Sequence, residues 1–100
     1  MNDLHDWLSR QHHGLRPYKT FQQKLDALCA DDPGQRGLCR LLSGLVGRYI
    51  EAYDETPLPV TVADAAHHRL LALLASLDVS GNADRRLADI NRVATCDLRP

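Results

Sequence analysis

Apolar residues recur along this chain at spacings of three and four, the pattern of helices that each bury one face. No segment alternates apolar and polar residues for long enough to indicate a strand. The pattern therefore predicts an all-α protein, a small bundle of about five helices. We expect the longest helix at about 33–53 and a second core helix at about 61–77, separated by the proline-containing stretch DETPLPV.

Capping residues and chain breakers give the expected bounds of these helices. Helix starts are predicted at Asn2 or Asp3, Thr20, Asp32-Pro33, Thr61 and Asn82. Helix ends are predicted near Gly14, Tyr53, Leu77 and Thr95. Gly14 followed by Leu15 has the form of a helix end closed by a glycine. The third and fourth helices are expected to be the central pair, with Leu42, Leu45, Leu70, Leu73 and Leu74 in the core and Leu71 in a wide core or a contact patch.

The most apolar part of the third helix, residues 38–53, contains two glycines, Gly44 and Gly47, although glycine in a helix costs about 1 kcal/mol relative to alanine. At 100° per residue, both fall on the half opposite the apolar one. Either an exposed face tolerates them, or Ser43 and Gly47 form a small-residue groove that another backbone approaches closely. About 21 residues of helix span about 31 Å, and this length with its wide apolar face predicts a homodimer. A closed monomeric bundle is the alternative.

Composition narrows the class of protein. The 100 residues are enough for one helical domain, 1–100, with 44% apolar residues, 25% charged residues and a net charge of −1. That balance leaves no basic field for general binding to nucleic acid. The N-terminus lacks a signal-peptide pattern, and the longest apolar run is far below the ~20 residues of a membrane span. We expect a cytoplasmic protein with three free thiols and no membrane association.

Five histidines invite a metal or catalytic interpretation that their spacing does not support. His12-His13 and His67-His68 are adjacent pairs, whose side chains point about 100° apart on a helix. No nucleophile motif, glycine-rich nucleotide motif or CxxC occurs. We therefore predict no metal, no cofactor and no enzymatic activity. His67 is expected at the border of the apolar face of its helix, and His68 toward solvent.

DNA binding is the alternative function. The fourth and fifth helices, joined by a short turn around Gly81, have the layout of a helix-turn-helix in which 82–95 would enter a groove. That segment would offer Arg85, Arg86, Asn91 and Arg92 to DNA. Against this interpretation, the spacing of Arg85, Asp89 and Arg92 predicts a solvated, salt-bridged face.

The function that the sequence favours is a small non-catalytic regulator or adaptor that binds another protein through helical surfaces. In a bacterium it would act as an antiactivator, blocking the dimerisation or DNA-binding surface of a transcription regulator. Such contacts use apolar anchors, with aromatic residues prominent. The candidate contact residues are Trp7, Tyr49, Ile50, Tyr53 and Leu58, and core packing is the alternative role for each.

Overall fold

The structure, a computed structural model, describes residues 2–77 and 83–100. It contains five α-helices and, within these two ranges, no strand, so the all-α prediction is confirmed. A 3-10 turn at Pro33–Gln35 precedes the third helix. The helices are α1 Asn2–Ser9, α2 Arg16–Asp31, α3 Arg36–Tyr53, α4 Val60–Ser76 and α5 Ala83–Ala94.

Two of the predicted bounds are wrong near the N-terminus. Helix α1 ends at Ser9 rather than at Gly14, whose N–H donates to Nδ1 of the nearby His12 at 3.0 Å. A Cβ on Gly14 would lie 2.9 Å from the His12 ring, so a larger residue there would require this exposed ring to move. Helix α2 begins at Arg16 rather than Thr20, because proline in the first turn already has a helical φ.

The predicted helix 33–53 is confirmed in position, with its first residues wound as a 3-10 turn. The Asp32 carboxylate caps that turn by accepting from the N–H of Gly34 at 3.1 Å. The second core helix is confirmed at Val60–Ser76. The predicted cap Asn82 and the turn around Gly81 lie outside the described residues.

The expected central pair of the third and fourth helices is wrong. Helix α3 packs against α2 and α5, whereas α4 packs against α1 and α5, and no Cα of α3 lies within 8 Å of one in α4. Close approach occurs instead between α2 and α3, where small residues let the chains meet. The five leucines predicted to form the core are all buried, and Leu71 is half-buried against them.

The α2–α3 crossing explains one of the two glycines. The Gln22 side-chain amide of α2 donates to the Ser43 carbonyl at 3.0 Å, and a Cβ on Gly47 would lie 3.1 Å from that amide nitrogen. The Ser43–Gly47 groove is thus occupied by the same chain. Gly44 is exposed, with only Arg48 within van der Waals distance.

Most of the apolar face of α3 is covered within one chain, whereas Leu41 remains 36% exposed. The buried residues of this helix are Leu38, Cys39, Leu42, Leu45, Val46 and Tyr49. The homodimer was predicted from an uncovered apolar face, and the structure covers most of that face within the chain. The homodimer itself stays a prediction.

Candidate protein-interaction site

An open groove of about 530 Å³ lies where the α1–α2 connection meets the connection between α3 and α4. We call it the loop groove. Its lining residues are His12, His13, Gly14, Leu15, Tyr53, Thr56, Leu58, Val60, Ala63 and Asp64. Half of them are apolar or aromatic, and Val60 is 74% exposed. An exposed apolar side chain beside further half-buried ones is the usual composition of a contact surface.

Local sequence explains why this groove stays open. The α3–α4 connection contains Pro57 and Pro59, and Pro59 adopts an extended conformation (φ −61°, ψ 142°) directly before α4. Proline in a short connection holds the backbone extended, so the chain leaves α3 without folding back over its own end. The Thr56 hydroxyl donates to the Ala52 carbonyl at 3.1 Å and ties the start of the connection to α3.

One ion pair and one histidine–carboxylate contact join the elements around the groove. The Lys19 ammonium on α2 lies 3.3 Å from the Asp54 carboxylate at the end of α3. Nδ1 of His13, in the α1–α2 connection, lies 2.6 Å from the Asp64 carboxylate on α4. Both pairs are partly exposed, and such pairs add little to global stability. They position the two connections relative to one another.

The five predicted contact residues divide between this groove, the core and a distant surface. Tyr53 and Leu58 line the loop groove, whereas Ile50 is half-buried against the core. Tyr49 is fully buried, with its ring centroid 4.9 Å from that of Tyr18. The prediction of Tyr49 as a contact residue is corrected, since it has no exposed surface to offer.

Trp7 does not belong to the loop groove. It is half-buried on α1 and lines a separate cavity with Lys24 and Leu28. The Lys24 ammonium lies 5.0 Å from the centre of its ring, a cation–π contact between α1 and α2. Trp7 therefore joins the two helices and reports on their contact.

A histidine cluster lies at the α4 side of the groove. The His13 and His67 rings are stacked, with centroids 3.9 Å apart and planes 21° from parallel. His67 is 5% exposed, and its Nε2 lies 3.0 Å from the Leu8 carbonyl oxygen at the end of α1. Burial, with a smaller contribution from the neighbouring His13, holds the pKa of His67 below its usual value.

The cluster has the composition of a metal site but not the geometry. Nearly parallel rings do not direct two nitrogens at one ion. Within the described ranges, no three or more histidine, cysteine or carboxylate side chains are arranged to hold a metal. The three cysteines are free thiols, and burial raises the pKa of Cys39 and of Cys96. A reactive thiol has a lowered pKa instead, because the thiolate is its reactive form.

The His13–Asp64 pair resembles the base and orienting acid of a hydrolase, which also needs a nucleophile within hydrogen-bonding distance. Thr56 contributes a hydroxyl to the groove lining, but this hydroxyl donates to a backbone carbonyl of α3. The arrangement positions an imidazole without an activated nucleophile among the described lining residues. The absence of enzymatic activity stays a prediction.

The arginines named for DNA contact bind backbone carbonyls of this chain. Arg85 and Arg92 donate to the Ser76 carbonyl at the end of α4, at 3.2 and 3.0 Å, and Arg86 donates to the Gly34 carbonyl at 3.1 Å. Arginine near a helix C-terminus also complements the helix dipole. Asn91 is exposed. The arginines thus join α5 to α4 and to the 3-10 turn.

The predicted solvated face of α5 is wrong at its central residue. Asp89 is 1% exposed and lies between Arg85 and Arg92, with nitrogen–oxygen distances of 3.7 Å to each. The spacing correctly predicted that the three charged side chains are neighbours. It does not indicate how deeply that side of the helix is buried. A carboxylate enclosed by two arginines is a structural group.

Sequence reasoning missed two features of the groove. Val60 was taken as part of the break before α4, and its position directly after Pro59 is the local signal of exposure. The His13–Asp64 contact joins residues 51 apart, and no local pattern indicates it.

No family model, curated protein or solved structure matched this chain. In the part of the chain that the structure describes, no helix has both the length and the apolar composition needed to cross a bilayer.

Proposed function

We propose that this protein is a small non-catalytic regulator that binds another protein through the loop groove. The observation that carries the proposal is the exposed apolar lining at one end of the bundle. Val60, 74% exposed, lies there with Tyr53 and Leu58, the two contact residues predicted from sequence that reach this groove. Apolar side chains left in water gain free energy when a partner covers them, about 25 cal/mol per Å².

The groove suits a helix of the partner. An amphipathic helix presents apolar anchors at i, i+3, i+4 and i+7, and such anchors fit a groove with apolar walls. Tyrosine supplies a large contact area at small cost in side-chain entropy, which is why Tyr53 is the expected centre of the interface. The proline-containing connection is held extended before binding, so little ordering is needed there.

The charges near the loop groove indicate which residue types flank the apolar anchors of the partner. From Glu51 to Asp64 the chain carries four carboxylates and no lysine or arginine. Asp54 pairs with Lys19 and Asp64 with His13. The exposed Glu51 and Glu55, which neighbour the groove residues in sequence, favour a partner with basic residues flanking its apolar anchors. A basic surface of a transcription regulator has this composition. The protein would then act as an antiactivator, covering a surface that the regulator needs for DNA or for its own dimerisation.

We do not propose DNA binding through 82–95 as a second function. Arg85, Arg86 and Arg92 each donate to a backbone carbonyl of this chain, so a DNA phosphate would have to replace an existing hydrogen bond. Retention of a duplex that weakens steeply with salt would argue for the DNA-binding alternative.

The test compares two exposed apolar residues on different surfaces. Val60→Asp places a charge in the loop groove, and Leu87→Asp places the same charge on α5, where Leu87 is 59% exposed. Candidate partners are captured from the source cell and purified, and the affinity of each is measured by calorimetry. We expect Val60→Asp to weaken binding at least about 10-fold, a change of about 1.4 kcal/mol, and Leu87→Asp to leave it unchanged.

Thermal unfolding of both variants provides the control for folding, since surface substitutions normally change stability by less than about 0.5 kcal/mol. A purified partner that binds Val60→Asp as tightly as wild type, or that loses affinity only with Leu87→Asp, would place the contact surface elsewhere.

A further inference from the structure

The histidine cluster connects three parts of the chain at one point. His67 belongs to α4, Leu8 to α1 and His13 to the connection that follows α1. The contacts are the hydrogen bond from His67 to the Leu8 carbonyl, the stacked rings of His13 and His67, and the His13–Asp64 pair. Helix α1 has only eight residues and packs on α4 and α2, where Leu4 and Leu8 are buried, and the cluster adds a hydrogen bond at its C-terminal end.

The hydrogen bonds determine where each ring carries its proton. A carbonyl oxygen only accepts, so Nε2 of His67 carries hydrogen and Nδ1 is the nitrogen left to take up a second proton. A carboxylate only accepts as well, so Nδ1 of His13 carries hydrogen toward Asp64.

Acidification favours a positive charge on His67, at a position where the fold disfavours charge. The groups that face His67 are the Leu8 carbonyl of α1, His13 of the connection, and Asp64 and His68 of α4. The carbonyl and Asp64 favour a positive charge on His67, but burial together with the two neighbouring histidines disfavours it. Two stacked imidazolium rings with centroids 3.9 Å apart repel one another, and one carboxylate neutralises only one of them.

We propose that His13, His67 and Asp64 form a pH-sensitive latch that fastens α1 and the α1–α2 connection to α4 and releases them on acidification. Release separates the His13 ring from His67 and lets His67 reach water, which requires α1 to leave α4 at Leu8. The latch goes beyond the protein-binding proposal and does not depend on it.

The direction of the pH dependence follows from the lowered pKa of His67. The unfolded or released chain binds a proton at this ring more readily than the native one. The stabilising contribution of the latch is therefore complete above about pH 6.5, the ordinary histidine value, and is lost progressively as the pH falls below it.

The fluorescence of Trp7 tests this proposal, because it is the only tryptophan and lies on α1. The emission maximum is followed from about pH 8 to about pH 4.5, a range that spans the titration of histidine. We expect a sigmoidal red shift in wild type with a midpoint below about pH 6.5, accompanied by changes in the amide NMR signals of α1.

Matched variants separate the latch from other titrations. His67→Gln retains a donor for the Leu8 carbonyl but has no titration in this range, so the red shift should be lost while α1 stays docked. His68→Gln on the same helix and His5→Gln on α1 should keep the transition. In His13→Gln the midpoint should move to higher pH, because a neighbouring group that disfavours charge on His67 is gone.

A wild-type protein whose Trp7 emission and α1 signals stay constant over this range would overturn the proposal. So would a transition that persists in His67→Gln. Should His67→Gln fail to fold, an unchanged midpoint in His13→Gln would overturn it by itself.

Discussion

The loop groove and the outer face of α5 both carry residue types that are common in recognition, and they use them in opposite ways. The arginines of α5 are engaged within the chain, since they donate to backbone carbonyls and two of them enclose a buried carboxylate. The groove leaves apolar groups such as Val60 in water. Residue type indicates what a side chain can bind, whereas the groups around that side chain determine whether it is available to a partner.

The largest expected effect is at the centre of the α5 face. Asp89→Ala removes a carboxylate that is 1% exposed, together with its contacts to two partly exposed arginines, so the free energy of unfolding should fall by about 2 kcal/mol. Urea denaturation followed by circular dichroism measures this loss. Asn91→Ala, at an exposed position of the same helix, should change stability by less than about 0.5 kcal/mol.

Equal effects of Asp89→Ala and Asn91→Ala would contradict a structural role for the buried carboxylate. The charged residues of α5 would then be as available for binding as the residues of the loop groove, and the DNA-binding alternative would again have candidate contact residues.

A smaller loss is expected at one of the arginines. Arg92→Ala removes the hydrogen bond to the Ser76 carbonyl and one neighbour of Asp89, and should cost about 1 kcal/mol because the guanidinium is partly exposed. Arg40→Ala on α3 is the matched control and should cost less than about 0.5 kcal/mol. A larger loss at Arg40 than at Arg92 would mean that the contacts of α5 do not stabilise the fold.

The smallest expected effect is a difference between two glycines of α3, of which one is exposed and one contacts a neighbouring helix. Gly44→Ala should stabilise the protein by up to about 1 kcal/mol, since alanine is the better helix former and the site is open. Gly47→Ala should give a smaller gain, because its Cβ would lie 3.1 Å from the Gln22 amide nitrogen and push it in its hydrogen bond to the Ser43 carbonyl. The comparison of both unfolding curves checks this, and equal gains would show that Gln22 does not occupy the groove.

The fold class was predictable to the level of individual helices. The positions of α3 and α4 and the burial of their leucines followed from spacings of three and four residues, which are local properties of the chain. The end of α1 and the start of α2 were predicted wrongly, because the glycine was taken as a helix end and the proline as a residue that prevents a helix. Pro17 opens a helix here, and Gly14 accommodates a histidine ring rather than ending a helix.

The candidate site was predictable only in part. Tyr53 and Leu58 were identified as apolar residues at the end of a helix and in a proline-rich loop, and both line the groove. Tyr49 lies one turn before Tyr53 on the same helix, yet it is buried against Tyr18. A wheel projection gives these two tyrosines nearly the same direction, and only the ends of the neighbouring helices distinguish them.

Helix content, the apolar face of each helix and the absence of a basic field come from the order and type of residues alone, because each depends on neighbours within about one turn. The burial of Asp89, the filling of the Ser43–Gly47 groove by Gln22 and the meeting of His13 with Asp64 arise from packing between helices. These contacts join residues distant in the chain, and side-chain periodicity carries no information about which helix lies opposite. The groups on which both proposals rest are brought together in this way.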